Sequence, residues 1–217
     1  MRNVYPVIRL AMLGVCLILT ACATLTQPSA VIAIKDPHPA PVYNFHIVIP
    51  GGTDGVGAIY RSGQPKGDAD WCYLEKIGIK TVVKLNKFSS DADESEELRL
   101  AKKHNINVIP LYMQPEDFPH NLNPWASPDE NILKQAIEAL EKGNNWPVLV
   151  HCSHGKDRTG LVIAAYTVRN KNFCKDTAYA QMRYYGTNPL LFGIKPRLYN
   201  SPNIKENPGC THEWIAQ

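Results

Sequence analysis

One ten-residue stretch constrains this chain more than its length or composition does. Residues 151–160 read His-Cys-Ser-His-Gly-Lys-Asp-Arg-Thr-Gly. The run Pro-Val-Leu-Val at residues 147–150 precedes them and reads as a short buried strand. Residues 161–168 follow as an apolar helix. A buried strand that turns through a glycine-bearing loop into a helix start belongs to an α/β layer architecture. In open α/β sheets such a loop lies at the carboxyl end of a strand, where ligands bind.

The residue types in that loop fit one chemistry. A loop that curls ahead of a helix turns its backbone N–H groups inward, and the helix dipole adds positive potential there. A phosphate dianion is held by those donors, and the planar fork of Arg158 can meet two of its oxygens at once. The same field favours a thiolate, since cysteines at helix N-termini titrate at roughly 3.5–7.5 rather than about 8.5. Cys152 is therefore the expected nucleophile, attacking phosphorus to give a cysteinyl-phosphate. Ser153, His154, Gly155, Lys156, Asp157 and Thr159 are expected to line the bound phosphate. Gly155 lets the backbone approach it closely, and Gly160 lets the helix pack tightly. The Thr159 hydroxyl can hydrogen-bond the departing sulfur, and His151 braces the loop from behind. Lys156 is placed to take a second anionic group, and Asp157 to hold the catalytic water or Arg158. The blander reading of a lone cysteine is a small buried hydrophobe. Metal ligation by His-Cys-Ser-His fits poorly, because adjacent ligands with no second Cys/His pair nearby are not a zinc spacing. No metal and no cofactor are expected.

The segment resembles the protein tyrosine phosphatase superfamily, in particular its small dual-specificity branch. Ile59-Tyr60-Arg61-Ser62-Gly63-Gln64-Pro65 is similar to a segment of bacterial and fungal members, and Cys210-Thr211-His212-Glu213-Trp214 to the tail of periplasmic TpbA-type phosphatases of Gram-negative bacteria. The resemblance runs from residue 59 to the end of the chain. It implies a cysteine-phosphatase fold, α/β with a central, mostly parallel sheet flanked by helices on both faces. It also implies hydrolysis of phosphomonoesters without metal. In the family the leaving oxygen is protonated by an aspartate on a loop after the strand that ends near Tyr112. In Met113-Gln114-Pro115-Glu116-Asp117-Phe118-Pro119 that acid is expected to be Asp117, with Glu116 the runner-up. Asp129 is read as a first-turn helix residue. Phe118, Trp125 and Tyr112 are candidate walls of a phosphotyrosine pocket.

A chain of 217 residues suits one domain behind a short leader. Arg2 and Arg9 flank the start of an apolar run, residues 10–19, too short for a comfortable membrane span. Leu19-Thr20-Ala21-Cys22 resembles a bacterial lipobox, so residues 1–21 read as a lipoprotein-type signal peptide. Residues 22–41, rich in Ala, Pro, Thr and Ser, then read as a flexible tether and residues 42–217 as the phosphatase domain. Lipidation at Cys22 would anchor the protein on the periplasmic side of a bacterial membrane, the outer membrane slightly favoured. Ordinary cleavage at Ala21-Cys22-Ala23 is the simpler alternative. The formal charge of +3 falls to about +1 once Arg2 and Arg9 are removed, which gives no reason to expect a nucleic-acid partner. A monomer is expected. One disulfide among Cys72, Cys174 and Cys210 fits an exported chain, with the pairing open.

Along the chain, strands are expected at residues 45–49, 81–85, 108–112 and 147–150. The glycine-rich residues 51–57 read as a hairpin turn. Helices are expected from Asp68 to Gly78, from Asp91 to His104 with a solvated acidic first turn, and after a Ser127-Pro128-Asp129-Glu130 capping box up to Gly143. Two more are expected from Asp176 to Tyr185 and within residues 189–200. The expected substrates are phosphotyrosine and phosphoserine/threonine proteins. The alternative is a phosphoinositide or inositol-phosphate phosphatase acting on phospholipid or soluble substrate. Outside enzymes stand a phosphate-binding pseudoenzyme and a structural envelope lipoprotein.

Overall fold

Runs of β-branched and apolar residues too short for helices form the centre of the molecule. The computed structural model describes residues 40–52, 57–87, 91–113 and 126–214. The expected leader and nearly all of the tether lie outside the described residues, as does the loop that carries Glu116, Asp117, Phe118 and Trp125. The strands are β1 (His46–Ile49), β2 (Ile59–Ser62), β3 (Thr81–Lys84), β4 (Asn107–Pro110) and β5 (Val148–His151). They form one sheet in the order β1-β2-β5-β3-β4. β2, β5, β3 and β4 run parallel, and β1 joins β2 antiparallel at the edge with an irregularity between Ile47 and Ile49. β3 and β5 are buried along their whole length, as a parallel sheet covered on both faces requires.

Side chains alternate across the sheet and set which helices cover it. Val83, Val148 and Val150 face a cluster with Ile137, Leu140, Leu161 and Leu198. That cluster is supplied by α3 (Glu130–Glu141), α4 (Asp157–Asn170), α5 (Lys175–Tyr184) and α6 (Ile194–Asn200). Val82 and Leu149 face Trp71, Leu74 and Leu100 on α1 (Gly67–Lys76) and α2 (Asp91–Lys103). α4 is buried from Thr159 to Val168 and runs through the centre of its layer. The expected architecture is thus observed. Among the described residues, no helix is long and apolar enough to cross a membrane.

Several local expectations are corrected. Ser127 and Glu130 do not form a capping box. Asp129 caps α3 by accepting from the Asn131 and Ile132 amides at 2.8 and 3.0 Å. Ser127 instead donates to the Gly193 carbonyl, while Glu130 pairs with Arg197 at 2.8 Å and accepts from Ser201 and Asn203. α5 is preceded by Cys174 rather than capped by Asp176, whose carboxylate accepts from the Tyr199 hydroxyl. Asp68 lies inside α1 and binds Lys103 and His104, which ties α1 to the end of α2. The disulfide joins Cys174 to Cys210, and Cys72 is free and exposed. Backbone bonds from Cys174 to Thr211 and from Thr211 to Asn172 run beside it, so the C-terminal segment is held against the start of α5.

Candidate active site

β5 ends at His151, and the chain turns through residues 152–156 before α4 begins at Asp157. The turn brings Cys152 to the floor of the loop, 3 % exposed. Burial alone pushes this thiol up. The Arg158 guanidinium, the Thr159 hydroxyl and the Thr159 and His154 amides outweigh burial and hold the thiol below its ordinary value. The Thr159 hydroxyl is fully buried without an oxygen or nitrogen acceptor among the described residues, and it is one of the groups that hold the Cys152 thiol down. Arg158 donates to the Ser153 hydroxyl at 3.3 Å and to the Leu85 carbonyl at 3.4 Å, linking the loop to the end of β3.

Gly155 makes the tight curl possible. Its φ is +66°, and a Cβ there would lie inside the Ser62 carbonyl group at the end of β2. Gly160 leaves room for the Thr187 hydroxyl and Met182, so α5 packs close to the first turn of α4. The methylenes of Lys156 lie over Gly186. Asp157 also has a contact outside the loop. Its carboxylate accepts from the Asn188 amide at 2.7 Å, while the Thr187 hydroxyl donates to the Lys156 carbonyl at 3.2 Å. Asp157 thus fixes the segment after α5.

Two supports of the loop were not legible in the sequence. On the β3 side, the carboxylate of Glu97 meets His151 Nε2 at 3.1 Å and Lys84 Nζ at 3.2 Å, all three side chains almost fully buried. Burial pushes the Glu97 carboxyl up, but His151 and Lys84 outweigh it and hold the group below its ordinary value. The acidic stretch of α2, expected as a solvated face, is therefore not solvated throughout. Glu97 lies one turn beyond that first turn, where α2 packs against the sheet. His151 Nδ1 lies 3.4 Å from the Cys152 carbonyl, so the expected brace runs on from His151 into this triad. On the β2 side, Asn44 donates to the His154 and Gly155 carbonyls at 3.1 Å each. Arg61, 0 % exposed, donates to the Gly155 carbonyl at 2.6 Å. Arg61 sits in β2 with its side chain fully buried, which no local pattern of the sequence signals. At the rim, the Gln64 amide donates to the Ser153 carbonyl, and Asn86 donates to the Gln64 side chain.

A family model described as "Tyrosine phosphatase family" matches residues 41–171, from just before β1 through α4 and the loop at Cys152. The chain belongs to the tyrosine phosphatase family. "Putative tyrosine-protein phosphatase OCA1" of Scheffersomyces stipitis is 32% identical over 169 residues, 73% of this chain and 78% of that protein. Its namesake in Meyerozyma guilliermondii is 36% identical over 106 residues, 48% of this chain and 55% of that protein, so the chain spans about half the length of this second relative. Among solved structures, the core catalytic domain of the PP-IP phosphatase Siw14 of S. cerevisiae matches with a TM-score of 0.58 at 21% identity, over 75% of this chain and 88% of its own. TpbA of P. aeruginosa matches with a TM-score of 0.55 at 21% identity, over 76% and 92%. At these identities both matches establish the fold. The curated relatives come from yeasts, the fungus Mycosarcoma maydis and Dictyostelium discoideum. This eukaryotic company overturns the expected localisation as an exported bacterial lipoprotein of the periplasm.

Proposed function

We propose that this protein is a cysteine-dependent phosphatase acting through a cysteinyl-phosphate. The observation that carries the reading is a buried thiol, held below its ordinary value by Arg158 and loop donors, at the carboxyl end of a central strand. In the first step the Cys152 sulfur attacks phosphorus, a P–S bond forms and the ester P–O bond breaks. Arg158 and the inward loop amides hold the equatorial oxygens as charge redistributes. Asp117 gives its proton to the leaving oxygen, with Glu116 as the other carboxylate of that loop. In the second step the same carboxylate takes a proton from water. Water oxygen bonds to phosphorus, and the P–S bond breaks to return the thiolate and release inorganic phosphate. Thr159, donating to the sulfur, eases that departure.

Residues 42–217 form the catalytic domain in this reading, acting as a monomer without metal or organic cofactor. The substrates are phosphotyrosine and phosphoserine/threonine proteins. A second reading, an inositol-phosphate or phosphoinositide phosphatase, has its own support. Lys156 puts a further cation in the loop close to Arg158, and Siw14 is described as a PP-IP phosphatase. The test is turnover of p-nitrophenyl phosphate with and without EDTA, then of a phosphotyrosine peptide, a phosphothreonine peptide and an inositol pyrophosphate in parallel. Turnover insensitive to EDTA and lost in Cys152→Ser is expected. Full activity in Cys152→Ser overturns the scheme, and a clear preference for the inositol pyrophosphate selects the second reading.

A further inference from the structure

We propose that Arg61 is the second cation of the phosphate cradle, a positioning residue that acts through the Gly155 carbonyl. The proposal rests on the phosphatase reading of the same loop. In a loop that binds an anion with its amides, the carbonyls must point outward and find partners of their own. Asn44 supplies donors to the His154 and Gly155 carbonyls, and Arg61 supplies a charged one to Gly155. A trans peptide holds its C=O and N–H on opposite sides. With its Gly155 oxygen turned back onto Arg61, the Gly155–Lys156 peptide therefore aims the Lys156 N–H away from Arg61, towards the concave side of the loop. A charge-assisted bond to the oxygen polarises that peptide and makes its N–H a stronger donor.

The surroundings of Arg61 point the same way. Lys84, likewise fully buried, is paired with Glu97, and the half-buried Arg197 with Glu130. The guanidinium of Arg61 lies 4.2 Å from the centre of the Tyr185 ring, which also packs against His46 at 4.8 Å, Tyr184 at 5.1 Å and Trp214 at 6.3 Å. Its Nε and Nη1 have no acceptor among the described residues. Burial pulls Arg61 down to about 10, against opposing effects of Tyr185 and Cys152, so it stays charged at neutral pH. His46 is held below its ordinary value by burial and by Arg61, so it adds no second cation there. A buried cation without a carboxylate is costly. Among the described residues the group that can answer its charge as an anion is the Cys152 thiolate, and a phosphate bound over the loop would answer it too. The groups around the sulfur are Arg158, Thr159 and His154 from the loop and helix, and Arg61 from β2.

The experiment uses the full chain as wild type, Arg61→Gln, Arg61→Lys and Arg61→Met. It measures the pH midpoint of Cys152 alkylation by iodoacetamide and the protection that inorganic phosphate gives against it. Arg61→Gln keeps an amide donor of similar reach without the charge and is the informative variant if Arg61→Met does not fold. Arg61→Gln is expected to raise the midpoint by about one pH unit and to weaken phosphate protection about tenfold, the scale of one charge-assisted hydrogen bond. Arg61→Lys should recover most of both. An unchanged midpoint and unchanged phosphate protection in Arg61→Gln overturn the proposal, whatever happens to thermal stability. Turnover is assayed separately. A wild type that binds phosphate and shows a low midpoint but hydrolyses nothing defeats the phosphatase reading and leaves this inference standing.

Discussion

The cradle rests on two supports of opposite electrostatic kind. Under β3 and β5, Lys84, Glu97 and His151 are buried together with a carboxylate at the centre. Under β2, Arg61 is buried against an aromatic ring with no carboxylate in contact among the described residues. The first arrangement cancels much of its own field. A buried pair of this kind adds little net stability over an apolar equivalent, but removing one partner is severe. The second arrangement leaves its field uncancelled and directed at the loop. One side therefore fixes where the loop sits, and the other adds to what the loop can hold. The disulfide from Cys174 to Cys210 belongs to neither support. It ties the C-terminal segment to α5 on the far side of Asp157 and its partner Asn188.

The comparison can be broken most forcefully at Lys84. Lys84→Met leaves Glu97 buried with half its partners gone and should lower unfolding free energy by about 3–5 kcal/mol in urea titration. The double variant Lys84→Met/Glu97→Leu should recover most of that loss. If the single and double variants are equally unstable, the triad is not a matched set. Arg61→Gln, by contrast, should change unfolding free energy by no more than about 1–2 kcal/mol, since the charge removed has no carboxylate to strand. Gly155→Ala falls between the two. The positive φ and the collision with Ser62 should cost about 1–3 kcal/mol and distort the phosphate site, which thermal melting and phosphate protection of Cys152 would both register.

A pH titration of stability sharpens the same contrast. The folded-state pKa of Glu97 lies below its ordinary value. Its contribution is therefore complete above the ordinary carboxylate value of about 4.3 and is lost as pH falls through the lower folded value. Glu97→Gln should flatten that acid limb. An acid limb of unchanged slope would show that the carboxylate is not paired in solution. The smallest effect is expected at Asp157→Asn, which keeps an oxygen for the Asn188 amide. Turnover should stay within a few-fold of wild type and stability within about 1 kcal/mol. A loss of 10²–10⁴-fold there would instead return Asp157 to the role of acid or base.

The fold was legible where chemistry and periodicity coincide. The strand-loop-helix around Cys152 announces itself through spacing, and the apolar faces of α3 and α4 through their repeat. β2 was missed as a strand because Tyr60, Arg61 and Ser62 look polar, although Arg61 and Ser62 are buried. The triad was missed for a different reason. Lys84 and Glu97 stand on separate elements, and only the packing of α2 against the sheet brings them together. A lysine inside the buried run Thr-Val-Val-Lys-Leu was the available signal, since such a charge needs a partner. The bond of Asp157 to Asn188 spans 31 residues, so no local pattern of the sequence signals it.

The central claim is that Cys152 carries the phosphoryl group during turnover. It is tested most directly by mixing the wild-type protein with p-nitrophenyl phosphate, stopping the reaction by rapid denaturation and weighing the peptide that contains Cys152. One phosphoryl group on Cys152, absent from Cys152→Ser, is the result expected here. Steady turnover with that peptide unmodified, or with the phosphoryl group on another residue, would contradict the account.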